Sequence, residues 1–227
     1  MAAYIRGFML FSYLAFAMQA TQSERFPAKP EPFGYKLTWL AVRDADPFEL
    51  LHAVNVDQGT VFSANWYGGL DKVYRWNATF ITPPVDDWTF VINPILSGLS
   101  DEKTLTFLQK LSAQFAEVQF YGNHRVANYG AWGRFVNEEA IRLFSTGEAI
   151  ELDQGQRTEI EEQIIAKGKQ SFIEDSPDDL EQLADSFFLG DEDDVMEMAG
   201  LWSINPQTLD NQPETFALGL LIVPKIS

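Results

Sequence analysis

The apolar positions of this chain change period several times, and each change marks an element. Tyr35-Lys36-Leu37-Thr38-Trp39-Leu40-Ala41-Val42 begins by alternating and ends continuously apolar, as a strand entering a covered sheet does. Asp46-Pro47 then opens a short helix, with Asp46 suited to the cap, Pro47 to the first turn, and Glu49 three residues after the cap. Phe48, Leu51 and Val54 are expected to face inward there, with His52 beside the stripe. Val73 to Ile81 and Trp88 to Ile92 read as two strands of a hairpin, joined by Thr82-Pro83-Pro84-Val85-Asp86-Asp87, which the proline pair stiffens.

Ser100 is expected to cap a helix that carries Asp101 and Glu102 in its first turn and Leu105, Leu108, Leu111 and Phe115 on one apolar face. From Glu117 to Glu151 the period returns to two, with breaks at Gly122, Asn137-Glu138-Glu139 and Gly147. That pattern predicts a three- or four-stranded antiparallel meander. Thr158 suits the cap of a helix opening on Glu159, Glu161 and Glu162, and 168–179 is the expected internal loop. Asp191 caps a last helix in which Val195, Met198, Ala199 and Trp202 share a face, and Gly219 to Val223 closes the chain as an apolar strand stopped by Pro224. Hairpins rather than strand-helix-strand crossovers connect the strands. The predicted class is therefore α+β: a single domain over 35–227, with an antiparallel meander and helices packed mainly on one face.

Upstream of that domain, 21–34 carries Pro27, Pro30 and Pro32 and reads as an extended linker. Residues 1–20 place Arg6 before an apolar run from Gly7 to Met18, with Ala15-Phe16-Ala17 and Ala20 at positions a signal peptidase accepts. The run falls short of the ~20 apolar residues a membrane-spanning helix needs. It reads as an export signal to the periplasm or medium, or as a start placed too early, with a cytoplasmic protein beginning at Met18.

Composition supports a substantial core, with 46% hydrophobic and 14% aromatic residues among 227. The chain has no cysteine, which excludes disulfides and thiolate chemistry, and its two histidines, His52 and His124, make a zinc site improbable. No phosphate-binding loop, dinucleotide fingerprint, nucleophile elbow or His-Glu-x-x-His pattern is present. Asp191-Glu192-Asp193-Asp194 fails the calcium-loop pattern, since Val195 takes the fifth place. No metal and no cofactor is expected.

Charge is the most uneven property. Between Glu148 and Glu197 seventeen acids face only Arg157, Lys167 and Lys169, so this fifty-residue stretch holds fourteen of the seventeen net negative charges. Such a field repels nucleic acid and anionic membrane and attracts cationic partners. Helix starts account for Glu159 to Glu162 and Asp191 to Asp194. The acids that no cap requires are Glu174, Asp175, Asp178, Asp179, Glu181 and Asp185, which become the expected contact for a basic protein.

Three functional classes follow. The first is a non-catalytic binding protein of the immunity or inhibitor type, docking a basic partner on its acidic half. A second is a hydrolase or isomerase in which His124 acts as base while Arg125 or Arg134 holds an anionic group. Strand alternation works against it, because His124 and Arg125 would point to opposite faces unless Gly122 marks a bulge. The third is a carbohydrate-binding module stacking sugars on Trp66, Trp132 and Tyr129, for which simple packing of rings against glycines is the competing account. The tract Asn65-Trp66-Tyr67-Gly68-Gly69-Leu70 reads as a mobile aromatic loop or a turn.

Several segments resemble a widespread family of bacterial proteins of unknown function: Thr38 to Val42, Pro83 to Val91 with its Trp88, Gly122 to Val126 with Trp132, Ile141 to Phe144 with Gly147-Glu148, and Asp191 to Pro206 with Trp202. The resemblance spans most of the folded region. It implies one α+β domain, brings no catalytic residue, and involves no leader like 1–20.

Overall fold

A computed structural model describes residues 27–54, 59–175 and 185–224 of the chain. It has an α+β fold built on one open sheet of nine strands. In chain order the elements are β1 (Thr38–Arg43), α1 (Pro47–Ala53), β2 (Gly59–Ala64), α2 (Trp66–Trp76), β3 (Thr79–Ile81), β4 (Trp88–Ile92), α3 (Glu102–Gln114), β5 (Glu117–His124), β6 (Tyr129–Val136), β7 (Glu139–Thr146), β8 (Ile150–Gly155), α4 (Glu159–Asp175), α5 (Glu192–Trp202) and β9 (Gly219–Pro224). Every strand pairing is antiparallel, in the order β2-β9-β3-β4-β1-β5-β6-β7-β8.

Side chains alternate across the sheet, and both faces are apolar. Trp39, Phe80, Phe90, Tyr121, Trp132 and Phe144 share one face, which α2, α4 and α5 cover. Leu40, Val91, Val118, Phe120 and Leu143 line the other, beneath α1 and α3. Three of the five helices thus lie on the face that carries the large aromatic rings. Among the described residues no helix is long and apolar enough to cross a membrane.

The meander from β5 to β8 forms as the period-two pattern predicts, and a two-residue turn at Asn137 and Glu138, both with positive φ, joins β6 to β7. Elsewhere tertiary packing alters the outcome. Residues Val73 to Trp76 belong to α2, not to a strand, and the double glycine lies inside that helix rather than in a loop. Asn65 caps it by accepting from the Gly68 N–H at 2.8 Å, and Trp66, Leu70 and Val73 turn one buried face to the core. Gly69 is there because the Phe80 ring fills the space a Cβ would need.

Three local shifts also matter. α1 is capped by Asp46 as expected, but buries Leu50, while Phe48 points to solvent at 61% exposure. α3 is capped by Asp101, one residue after Ser100. Residues 168–175 continue α4 rather than forming a loop, and Gly168 packs beneath Phe188. Residues 27–34 of the proline-rich stretch belong to the fold. Ala28 pairs with Thr215, and Phe33 is buried edge-on against Trp39 and Phe90. Burial of that single ring ties 27–34 to the core.

Candidate functional site

Acidic side chains of α4 and α5 gather on the helical layer over β5 to β8. α5 begins with a reciprocal cap: Asp191 accepts from the Asp194 N–H at 2.8 Å, and Asp194 Oδ2 accepts from the N–H groups of Asp191 at 3.1 Å and Gly190 at 2.8 Å. Burial, then the neighbouring charge of Asp191, pushes the Asp194 carboxyl up to about 6. Because its acceptor oxygen is held by two backbone donors, Asp194 serves the cap rather than acting as a free acid.

Two hollows flank this helix start. One, of about 360 Å³, is lined by Tyr35, Lys167, Asp191, Asp193, Asp194 and Glu197, among others. The second, of about 410 Å³, lies between Arg125, Tyr129 and the run Gly190 to Asp193. Asp191 and Asp193 line both, and so form an acidic ridge between them. Asp191, Asp193 and Glu197 are exposed, and among the described residues none of these three carboxylates joins an ion pair.

The layer is anchored by two buried polar networks. In the first, Glu161 of α4 is fully enclosed. Its Oε1 accepts from Trp132 Nε1 at 3.0 Å and from Arg142 Nε at 2.8 Å, while Oε2 accepts from the Thr158 N–H at 2.7 Å. Thr158 Oγ1 accepts in turn from the Glu161 N–H, so α4 opens with the predicted Thr158 cap. Arg142 also reaches Asp153 at 2.7 Å. Burial opposes ionisation of Asp153, but hydrogen bonds and charge from Arg142 and Arg157 outweigh it and hold its carboxyl below the usual range.

The second network joins β5 to the end of α5. Arg134 Nε donates to Glu117 at 2.7 Å, Gln119 donates to Glu117 at 2.8 Å and to the Trp202 carbonyl at 2.9 Å, and Tyr121 donates to Gln119 at 2.8 Å. Burial drives the Tyr121 phenol well above its ordinary value.

The residues singled out from sequence do not converge. His124 is exposed at the end of β5, and its imidazole makes no hydrogen bond or ion pair among the described residues. Arg134 sits opposite Gln119, five positions away along β5, or about 17 Å at ~3.3 Å per residue. Its guanidinium is engaged by Glu117, so it does not join His124. Arg125 lies in the short turn after β5, exposed, and faces the start of α5 across the second hollow.

The sugar platform is corrected outright. Trp66 and Trp132 have no exposed surface, and Tyr129 is mostly enclosed, with its hydroxyl accepting from the Leu99 N–H at 3.2 Å. Rings so placed cannot stack on a ligand; Trp132 instead stacks on Phe144 with centroids 4.4 Å apart.

The expected acidic contact is also altered. Asp185 is engaged internally, pairing with Lys169 and, at 3.2 Å, with Arg157, and the hydrogen bond from Lys169 holds its carboxyl below the usual range. Glu174 and Asp175 lie in the last turn of α4, whereas Asp178, Asp179 and Glu181 fall outside the described residues. Lys167, Glu197 and Tyr35 were not singled out from sequence. Only the folding of α4, α5 and the 27–37 segment brings them to one hollow. Among the described residues no cluster of metal-ligating side chains occurs. Comparisons with protein-family models, with curated proteins and with solved structures find no match.

Proposed function

We propose that this chain is a non-catalytic binding protein of the immunity or inhibitor type, docking a cationic partner protein on the α4–α5 layer. The observation that supports this most is the ridge of Asp191 and Asp193 with Glu197, exposed and without internal counter-ions, between two hollows of side-chain size. A lysine or arginine of a partner entering either hollow would meet carboxylates with little rearrangement, because the capping box fixes the helix start. His124 and Arg134 lie apart along β5, which counts against the arm of the catalytic alternative that pairs those two residues.

Association of this kind is steered by charge and weakens with salt, since the Debye length shortens from ~10 Å at ~0.1 M to ~3 Å at ~1 M. The test is affinity capture from the native source at low and high salt, followed by association rates for the captured basic protein with wild type and with the double variant Asp193→Asn, Glu197→Gln. A slower association in the variant, and in wild type at high salt, is the expected result. Recovery of no salt-sensitive basic partner, or rates indifferent to both changes, would overturn the reading.

A further inference from the structure

We propose that the second hollow, between the β5–β6 turn and the start of α5, binds a small zwitterion, an α-amino acid held by both of its charges. The proposal goes beyond the docking of a protein and does not depend on it. This hollow, of about 410 Å³, has Arg125, Asn128 and Tyr129 on one wall and Gly190 to Asp193 on the other. Acids at a helix start need no ligand, because they answer the helix dipole. What sets this hollow apart is a cation that faces them and that they do not neutralise. Arg125 and Asp193 are exposed and line the same space, yet they form no ion pair, so their nitrogen and oxygen atoms stay more than 4.0 Å apart. Among the described residues neither side chain makes a hydrogen bond or ion pair with any other group. An arginine gains little by closing on exposed acids across solvent. A ligand that carries both charges would pair its carboxylate with Arg125 and its ammonium with Asp193, while Asp191 stays committed to the cap.

Both walls are set before any ligand arrives. Arg125 opens a single turn of helix that Asn128 closes at φ 49°, and the Tyr129 hydroxyl is pinned by the Leu99 N–H at 3.2 Å. On the other side a Cβ on Gly130 would run into the Gly190 carbonyl oxygen, so the glycine at 130 is what lets α5 begin so close to the β5–β6 turn. Preformed walls spare a ligand the cost of ordering them. The same junction holds an unused donor. Asn123 pairs across the ladder with Gly130, which turns both residues to the side of the sheet where Gly190 lies. It is 2% exposed, its Oδ1 accepts from the Lys36 N–H at 3.2 Å, and its Nδ2 has no partner. Buried amides ordinarily find an acceptor, and a carboxylate beside Arg125 would supply one.

Charge selects the ligand. A simple anion drawn to Arg125 would be repelled by Asp191, Glu192 and Asp193, and a lone cation drawn to those acids would be repelled by Arg125. A zwitterion has no net charge and satisfies both walls. An α-amino acid carries its two charged groups on one carbon, which suits opposed charges that share one hollow without touching.

NMR signals of the full chain, followed during titration with the standard free amino acids at millimolar concentration, test the proposal. The expected result is that at least one amino acid shifts the amide signals of Arg125, Asn128, Gly190 and Asp193 together and saturably. Its amide, which lacks the carboxylate, and its N-acetyl derivative, which lacks the ammonium, should each bind more weakly by roughly tenfold or more. Arg125→Gln should weaken the free amino acid to a similar extent and its amide no further, whereas Asp193→Asn should weaken the free amino acid and its N-acetyl derivative no further. No amino acid shifting these signals, derivatives that bind as well as the parent, or folded variants indifferent to the change would each overturn it. Circular dichroism checks the fold of both variants; should either fail to fold, the two derivatives with the wild-type protein decide. Failure here is distinguishable from failure of the protein-docking reading, because Arg125→Gln removes no acid and should not slow the association of a basic partner.

Discussion

Arg142 of β7 and Glu161 of α4 form an ion pair closed to solvent, with Nη2 at 2.6 Å and Nε at 2.8 Å from the same carboxylate oxygen. The pair joins α4 to the sheet: the same oxygen receives Trp132 Nε1, and the other oxygen closes the first turn of α4. A buried pair of this kind contributes little net stability when both partners are present, but leaving one behind is costly. Glu161→Gln is expected to lose ~3 kcal/mol in urea unfolding, since Asp153 is then the one counter-charge left to Arg142 among the described residues. The double variant Arg142→Met, Glu161→Leu should recover much of that loss. A Glu161→Gln protein as stable as wild type would show that the pair is hydrated in solution.

Asp194 predicts a pH dependence of opposite sign to that of ordinary salt-bridged carboxylates. Its folded value, about 6, lies above the ordinary 3.8, so the native state binds this proton more tightly than the unfolded chain does. The contribution of this group is therefore full below pH 3.8 and is lost as pH rises through about 6. Asp194→Asn keeps an oxygen for the Gly190 and Asp191 N–H groups and removes the charge. Thermal unfolding should find the variant more stable than wild type by ~1–2 kcal/mol above pH 7 and near parity at pH 4. A difference that does not change with pH would refute this account.

Gly130 and Gly190 predict a steric dependence. A Cβ on Gly130 of β6 would run into the Gly190 carbonyl oxygen, and Gly190, at φ 106°, leads directly into the Asp191 cap. Gly130→Ala must move the start of α5, at a cost of ~1–3 kcal/mol. Gly147→Ala is the control, because its Cβ would meet only the flexible end of Glu151. Thermal unfolding of the two variants should separate them, and hydrogen exchange in Gly130→Ala should quicken in the first turn of α5. Equal stability would show that the close approach relaxes freely.

The contrast between what sequence revealed and what it concealed has a physical cause. Caps and turns are local, so Asp46, Thr158, Asp191 and the Asn137-Glu138 turn could be placed from neighbouring residues alone. The meander was equally legible, because period-two alternation persists across four short-linked strands. α2 was not, since two glycines lower helix propensity and only the Phe80 ring, from another element, accounts for Gly69. Its signal was present in Trp66, Leu70 and Val73 at helical spacing. β2 was missed because its residues are half-exposed and pair with β9, the last strand in the chain. The site followed the same rule. Acidity was visible in composition, but whether an acid is free depends on partners distant in sequence. Asp185 is taken by Arg157 and Lys169, whereas Asp193 and Glu197 remain open.

Gln119 predicts how the sheet controls the acidic ridge. The side chain links Tyr121, Glu117 and the Trp202 carbonyl, tying the last turn of α5 to β5. Because burial keeps the Tyr121 phenol protonated, its O–H must donate, and Gln119→Leu removes the acceptor it uses here. The substitution also strips a donor from the Trp202 carbonyl, while Glu117 retains Arg134. A loss of ~1–3 kcal/mol is expected, with hydrogen exchange quickened at the C-terminal end of α5. Gln119→Leu alters no charge, yet it loosens the helix that carries Asp193 and Glu197, so binding of a cationic partner should fall through a faster dissociation rate. Asp193→Asn with Glu197→Gln should do the reverse, slowing association at unchanged stability, because rim charges act chiefly on encounter. If both variants slowed association alike, the rigidity of α5 would have no part in recognition.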